Sequence, residues 1–229
     1  MQTIRHNPIL KVSRVTGILF LLSLLVPVFN WTLILSQFVS QEDNTSLNIM
    51  SNELLFRFNI VNGIFTTIII IALALCLYKI LRAVNRNLAL MALSFKMIEA
   101  VLTGTLTLGH YITLLVLKED PQNIELQKVL NLLIEKYILF TAIPGVFFGL
   151  SMMIYSCLFL KSRSVPRKLA FFGIVSYSLV AIYDLLAILL PDYAVLLPVQ
   201  ITGSVPVCLF QITIGLWLLF KGIKHNTTY

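Results

Sequence analysis

Six stretches of the chain, roughly 15–38, 58–80, 88–117, 137–160, 169–190 and 202–220, are each apolar over the length of a membrane span. A helix needs about 20 such residues to cross the hydrocarbon of a bilayer. Lipid offers no water to backbone N–H and C=O groups, so an apolar run of this length closes its own hydrogen bonds as a helix. The pattern specifies an all-α, polytopic membrane protein, a six-transmembrane-helix bundle. Composition agrees: 58% of the 229 residues are hydrophobic and only 12% are charged. A soluble domain carries about 25% charged residues. The third stretch is longer than a span requires, so it must tilt or carry its ends into the headgroups.

The first stretch, "VTGILFLLSLLVPVFNWTLILSQF", follows Arg5, Lys11 and Arg14, as the apolar part of a secretory signal would. It runs well past the roughly 7–15 apolar residues of such a signal, and no small-x-small pattern ends it. It reads as a retained first helix. The expected organisation is a cytoplasmic N-terminal segment (1–14), a transmembrane domain (15–220) and a cytoplasmic tail (221–229).

The net charge of +7 is a topology signal. Twelve Lys and Arg fall on one side of the expected bundle: Arg5, Lys11 and Arg14, then Lys79, Arg82 and Arg86, then Lys161, Arg163, Arg167 and Lys168, then Lys221 and Lys224. The other side has four, Arg57, Lys118, Lys128 and Lys136, and it holds most of the acids. Basic loops stay cytoplasmic, so both termini are expected there. The same placement removes the case for a nucleic-acid partner; the bilayer is the expected partner, and the oligomeric state is not legible.

Two connections on the acidic side carry helical signals. "EDPQNIELQKVLNLLIEKYILF" offers Asp120 as an N-cap and Pro121 as a first helical residue, so the fourth helix is expected to start outside the hydrocarbon. "LNIMSNELLFRF" suggests a short interfacial helix before the second span. "PDYAVLLPVQITGSVPV", with three prolines, reads as irregular. Asn44, Thr45 and Ser46 form a glycosylation sequon on that side, relevant only in a eukaryotic secretory pathway.

Catalytic and metal signatures are missing. The three cysteines, Cys76, Cys157 and Cys208, all lie in apolar runs and read as small buried thiols. His6 and His225 lie in the tails, which leaves His110 alone in the bundle and argues against a metal site. No HExxH, GxSxG or phosphate-loop pattern occurs. No cofactor is expected, and an enzyme is the less favoured class.

The segments "CLYKILRAVNRNLAL" (76–90) and "CLFLKSRSVPRKLAF" (157–171) match without gaps at an offset of 81, with seven of fifteen positions identical. Two readings stand. Helices two–three and four–five are copies of one hairpin, or two short basic loops have converged on similar residues.

The same loops, with "RVTGILFLLSLL" and "LLFRFNIVNGIF", resemble the bacterial membrane-protein family called domain of unknown function 4386. The stretches "LYKILRAVNRNLALMALSFKMIEAVL" and "FGLSMMIYSCLFLKSRSVPRKLAFFGI" are similar to its most typical segments, and the likeness covers about 14–220. It implies a compact six-helix protein of the bacterial cytoplasmic membrane. The family carries no assigned activity, so no functional residue transfers from it.

The candidate site therefore rests on polar residues inside the apolar runs. In the third stretch Lys96, Glu99, Thr103, Thr107 and His110 follow one another at spacings of three or four, which places them on one helix face. At 1.5 Å per residue Glu99 lies about 20 Å from Arg86, near mid-membrane. A charge at that depth costs about 2.5–3.5 kcal/mol on insertion scales, so such residues turn to partners rather than lipid. Glu99 has Lys96 one turn away. Asp184 lies in the outer third of the fifth helix, on one face with Tyr177, and needs a proton or a base; Arg57 and His110 are the expected bases. Asn59, Asn62 and Gln211 add polar groups. Pro144, Gly145 and Gly149 mark the fourth helix for close packing or a hinge.

These residues suggest a polar pocket facing the outer side. Glu99, Asp184, Arg57, Lys96 and His110 are the candidates for a ligand or proton pathway, serving an unidentified small molecule, lipid or ion. The competing reading is a non-catalytic membrane accessory, stress or immunity protein in which the charges only lock the fold.

Overall fold

The computed structural model describes residues 8–39, 45–120, 123–135, 137–194 and 196–223. Helix α1 (Pro8–Asn30) continues through a π-helical turn (Trp31–Leu35) into α2 (Ser36–Val39). Then follow α3 (Thr45–Ser51), α4 (Glu53–Leu81), α5 (Arg86–Glu119), α6 (Ile124–Glu135), α7 (Tyr137–Ser162), α8 (Arg167–Leu189), α9 (Pro191–Ala194) and α10 (Leu197–Phe220). Six helical stretches, those built on α1, α4, α5, α7, α8 and α10, are long and apolar enough to cross a membrane. The expected six-span bundle is present, and the described residues contain no strand.

The spans form a closed ring. α1 packs on α4, α4 on α5, α5 on α7, α7 on α8, α8 on α10, and α10 returns to α1. Short links dictate most of this order, since a tight turn leaves consecutive helices antiparallel and adjacent. Asn85 caps α5 by accepting a hydrogen bond from the Leu88 amide at 3.0 Å. Between α7 and α8 the chain reverses at Arg163, whose φ is 53°. All these basic turns lie at one end of the bundle, the basic end. The opposite, acidic end carries Glu53, Glu119, Asp120 and Asp192.

Closure of the ring depends on small residues. In lipid, helices gain little from apolar burial and rely on close van der Waals packing. A β-carbon on Gly17 would lie 2.6 Å from the Gly215 carbonyl oxygen and 2.7 Å from the Leu219 amide, so the α1 and α10 backbones meet there. Gly222, at φ 64°, ends α10 in the left-handed conformation. The chain then turns so that the Ile223 amide donates to Ser13 Oγ at 3.0 Å, tying the two ends of the sequence together.

The hairpins α4–α5 and α7–α8 share more than the fifteen matched positions. α4 ends at Leu81 and α7 at Ser162; α5 begins at Arg86 and α8 at Arg167, each pair again 81 apart. Burial keeps the same register: Leu77 and Leu158, Ala89 and Ala170, Lys96 and Tyr177, Ala100 and Ala181 are all buried.

The outer surface is apolar, with Phe65, Val101, Leu108, Phe171, Leu189 and Phe220 all more than half exposed, as lipid-facing side chains are. Inside, the half toward the basic end is filled by Phe20, Leu73, Leu77, Tyr155, Phe210 and Leu218. A second cluster, including Phe38, Ile49, Phe56, Leu117 and Leu130, draws α2, α3 and α6 over the acidic end of α4 and α5.

Three local expectations change. The first backbone bond of α6, from Gln127 to the Asn123 carbonyl, makes Asn123 the residue at its start. The Asp120 carboxylate accepts from the Asn123 side chain instead of capping the helix, and Pro121 lies outside the described residues. The proline-rich link is largely helical: Pro191 opens α9, Pro198 sits in the first turn of α10 where its missing N–H costs nothing, and α10 runs through Pro206. The cysteines are half-buried or, at Cys157, exposed. In a membrane bundle an exposed thiol meets lipid, so burial is not required of it.

Candidate functional site

The long α5 carries its polar residues on the inward face, as the spacing predicts: Lys96, Glu99, Thr107 and His110 are all buried. A common face is not a common depth. His110 is eleven residues beyond Glu99, which at 1.5 Å per residue is about 16 Å. The structure accordingly divides the five predicted site residues among separate environments.

Lys96 and Glu99 form one unit near the middle of the bundle. The ammonium lies 2.9 Å from Glu99 Oε1 and 2.8 Å from Oε2, with side-chain exposures of 2% and 7%. Its remaining side rests over the Phe148 ring, 4.6 Å from the centroid. Beside the pair is a cavity of about 340 Å³. Its polar lining includes Ser23, Thr66, Thr103, Thr141 and Gln211 together with the ion pair; Leu24, Ile69, Leu106 and Val207 are among the apolar residues. Five of the six spanning elements contribute. Toward the basic end the packed core around Phe20, Leu73 and Phe210 closes it. Toward the acidic end its wall reaches Val28 and Tyr137.

Asp184 lies on α8, buried to 8% exposure. It occupies the position in the α7–α8 hairpin that Thr103, a cavity residue, holds in α4–α5, since the two are 81 apart. Gly145 brings it to the cavity wall: a β-carbon there would overlap the Asp184 carboxyl, and Gly145 itself lines the cavity. Among the described residues no hydrogen bond or ion pair reaches the Asp184 carboxyl.

The bases expected near Asp184 are engaged elsewhere. Arg57, with its side chain 46% exposed, pairs with Glu53 at 2.6 Å, and Lys118 joins the same carboxylate at 2.9 Å. This is a headgroup-level cluster one turn into α4. His110 belongs to a buried relay in which the Asn30 side chain donates to Asn59 Oδ1 at 2.8 Å and Asn59 Nδ2 meets His110 Nδ1 at 3.0 Å. With Nδ1 accepting, the imidazole proton sits on Nε2. The ring packs 5.1 Å from Tyr137, which stacks in turn on Trp31. Asn30 immediately precedes the π-helical turn, whose extra residue resets the face that α1 presents to α4.

Asn30 was not singled out from the sequence, and Asn59 only as a neighbour of Arg57. One amide per apolar run is a weak signal; two amides at the same depth in consecutive spans would have pointed to the relay. Tyr177 was named only as a marker of the Asp184 face. Its hydroxyl is buried beside Gln211 and Glu99 without a well-aligned partner.

An all-α ring of six helices long and apolar enough to span a membrane, with a buried ion pair beside a mainly apolar cavity, defines the class: a multi-pass membrane protein with a candidate internal binding site. Residues 15–222 match the family described as Domain of unknown function (DUF4386), and the chain belongs to that family. No curated protein and no solved structure matches it.

Proposed function

We propose that this protein binds a small polar or amphiphilic molecule in the mid-membrane cavity, as a receptor or as the binding step of transport. The observation that carries the reading is the cavity itself. A buried charge pair is costly to place in a bilayer, and here it borders about 340 Å³ of space rather than packed side chains. The size falls in the lower part of the usual range for ligand pockets, about 300–1,000 Å³. The packed core on the basic side makes the cavity a site closed at one end, not a continuous pore. The charge asymmetry supports a cytoplasmic basic end; in that orientation access is from the outer side, and the setting we propose is the bacterial cytoplasmic membrane.

A second reading has its own support. Lys96 and Glu99 satisfy each other's charge, while Arg57 and His110 are held in local clusters. In that reading the charges orient helices, and the protein acts as a membrane accessory without a ligand. The deciding experiment is a ligand-induced thermal-shift screen on purified protein, run in parallel on Thr103→Phe, which fills the cavity and leaves the ion pair in place. Compounds that stabilise the parent and not the filled variant support binding. Equal response of the two, or none, favours the structural reading.

A further inference from the structure

The route by which a ligand reaches the cavity is set by the seams of the ring, and the route bears on what the ligand is. This inference rests on the cavity-binding reading above. Among the described residues, five of the six seams are fastened on both sides of the cavity level. Between α1 and α4, Asn30 donates to Asn59 on the acidic side, and Thr16 lies beside Cys76 on the basic side. Gly63 admits Thr107 between α4 and α5, and Ala142 meets Ala187 between α7 and α8; a short turn joins each of these two pairs at the basic end. Phe95 with Phe147 and His110 with Tyr137 hold α5 to α7. Gly173 with Phe210 and Gly203 with Tyr183 hold α8 to α10.

The seam between α1 and α10 is fastened on the basic side alone, where Gly17 meets Gly215 and the Ile223 amide donates to Ser13. Val28 lies eleven residues from Gly17 toward the acidic end, and Ser204 lies eleven from Gly215 in the same direction. Eleven residues are about three turns, or about 16 Å, so each stands on the side of its helix that carries the glycine. The glycines are buried, yet Val28 is 45% exposed and Ser204 is exposed. Each helix also has an internal proline in this stretch, Pro27 and Pro206. A proline inside a helix removes a backbone bond and bends the helix. Two helices in backbone contact at the basic end thus part toward the acidic end. Leu24 and Val28 on one, and Val207 and Gln211 on the other, line the cavity, so the gap leads into it. The axial way in is roofed. α2, α3 and α6 pack over the acidic end of α4 and α5, and Trp31 stacks on Tyr137.

We infer that the cavity takes a neutral single-chain amphiphile directly from the bilayer, through a lateral opening between α1 and α10 in the acidic half. The opening lies between two spans, so lipid chains and not water stand at its mouth. The hydrocarbon chain of the ligand lies in the gap between Val28 and Ser204, and its head enters the cavity. The lining suits a hydroxyl head, which donates and accepts at once. The hydroxyls of Ser23 and Thr66 donate to the carbonyls of Phe20 and Asn62, so their oxygens face the ligand as acceptors. Thr103 and Gln211 supply donors. The Thr103 hydroxyl makes no hydrogen bond among the described residues. The Gln211 amide has two N–H groups, of which the neighbouring Tyr177 hydroxyl takes at most one. A charged head is disfavoured, because Lys96 and Glu99 neutralise each other and leave no free counter-charge.

Two photoreactive forms of hexadecanol, with a diazirine beside the hydroxyl or at mid-chain, test this on the full chain reconstituted into phosphatidylcholine vesicles. Labelled peptides are mapped by mass spectrometry, with unlabelled hexadecanol, hexadecylammonium and palmitate as competitors. The head form should label α5 and α10 saturably around Thr103 and Gln211, and the mid-chain form α1 and α10 around Val28 and Ser204. Hexadecanol should compete at least about tenfold more strongly than either charged analogue, the least expected for a buried charge without a partner. Val28→Trp, which fills the opening, should cut labelling by both forms, and Leu25→Trp, on the lipid-facing side of α1, should not. Saturable head labelling in the cavity with mid-chain labelling away from this seam, or labelling unchanged by Val28→Trp, would overturn the lateral route and leave cavity binding standing. Equal or stronger competition by a charged analogue would overturn the neutral class in the same way. No saturable labelling of the cavity by either form would overturn the inference entirely, and the thermal-shift screen then decides cavity binding by itself.

Discussion

Removing one member of the Lys96–Glu99 pair should cost far more than removing both. Glu99→Leu leaves an ammonium, 2% exposed, over the Phe148 face at the cavity edge. Lys96→Met leaves a carboxylate at the cavity edge, where a water can reach it. Breaking a buried pair by truncating one partner costs about 3–5 kcal/mol, while replacing both with apolar residues of similar volume is often neutral. For a chain of this length each kcal/mol moves the melting temperature by about 2–4 °C. The single variants should therefore melt roughly 6–20 °C below the parent, and K96M/E99L within a few degrees of it. Thermal scans in detergent at one scan rate, read by tryptophan emission and by loss of monodispersity, measure the series. A double variant as unstable as the worse single one would refute the pairing argument, because the cost would then lie in lost packing rather than stranded charge.

Gly17→Ala and Gly149→Ala should each destabilise by about 1–3 kcal/mol through overpacking. Their new methyls would meet the Gly215 carbonyl at 2.6 Å and the Tyr177 carbonyl at 2.9 Å; Gly109→Ala, with nothing within 4 Å, should instead be neutral or stabilising in the same melting assay. Asn59→Leu strands Asn30 and His110 together and should cost about 1–3 kcal/mol for each buried group left unpaired; a melting temperature equal to that of the parent would show the relay to be incidental. Asp184→Asn keeps the shape of a side chain that makes no hydrogen bond among the described residues, so stability should stay within about 0.5 kcal/mol of the parent in the melting assay. A clear loss of stability would assign Asp184 a structural role. Reporter fusions after Phe38, Lys118 and Tyr193 should read as external and a fusion at the C-terminus as internal; an external C-terminus would reverse the proposed orientation.

Much of the architecture was already settled by one-dimensional information. Apolar length alone decides that a segment spans, because lipid gives the backbone no alternative to helix. Spacings of three and four place Lys96, Glu99, Thr107 and His110 on one buried face, and the match at offset 81 marks two hairpins whose ends and burial coincide. What the sequence could not supply was relative depth and azimuth between helices. Residues on one face of α5 are spread over several turns, so Glu99 and His110 enter different environments. Arg57, placed by its position in α4 at the headgroup level, finds Glu53 and Lys118 rather than Asp184. The ring order, with α10 closing on α1 at Gly17 and Gly215, arises from a backbone contact between residues nearly two hundred positions apart. The cavity exists because bulky side chains fill the basic half while hydroxyls, a glycine and two prolines from separate helices meet above it. A void is a property of how five helices are set around a common axis, and no single helix carries a record of it.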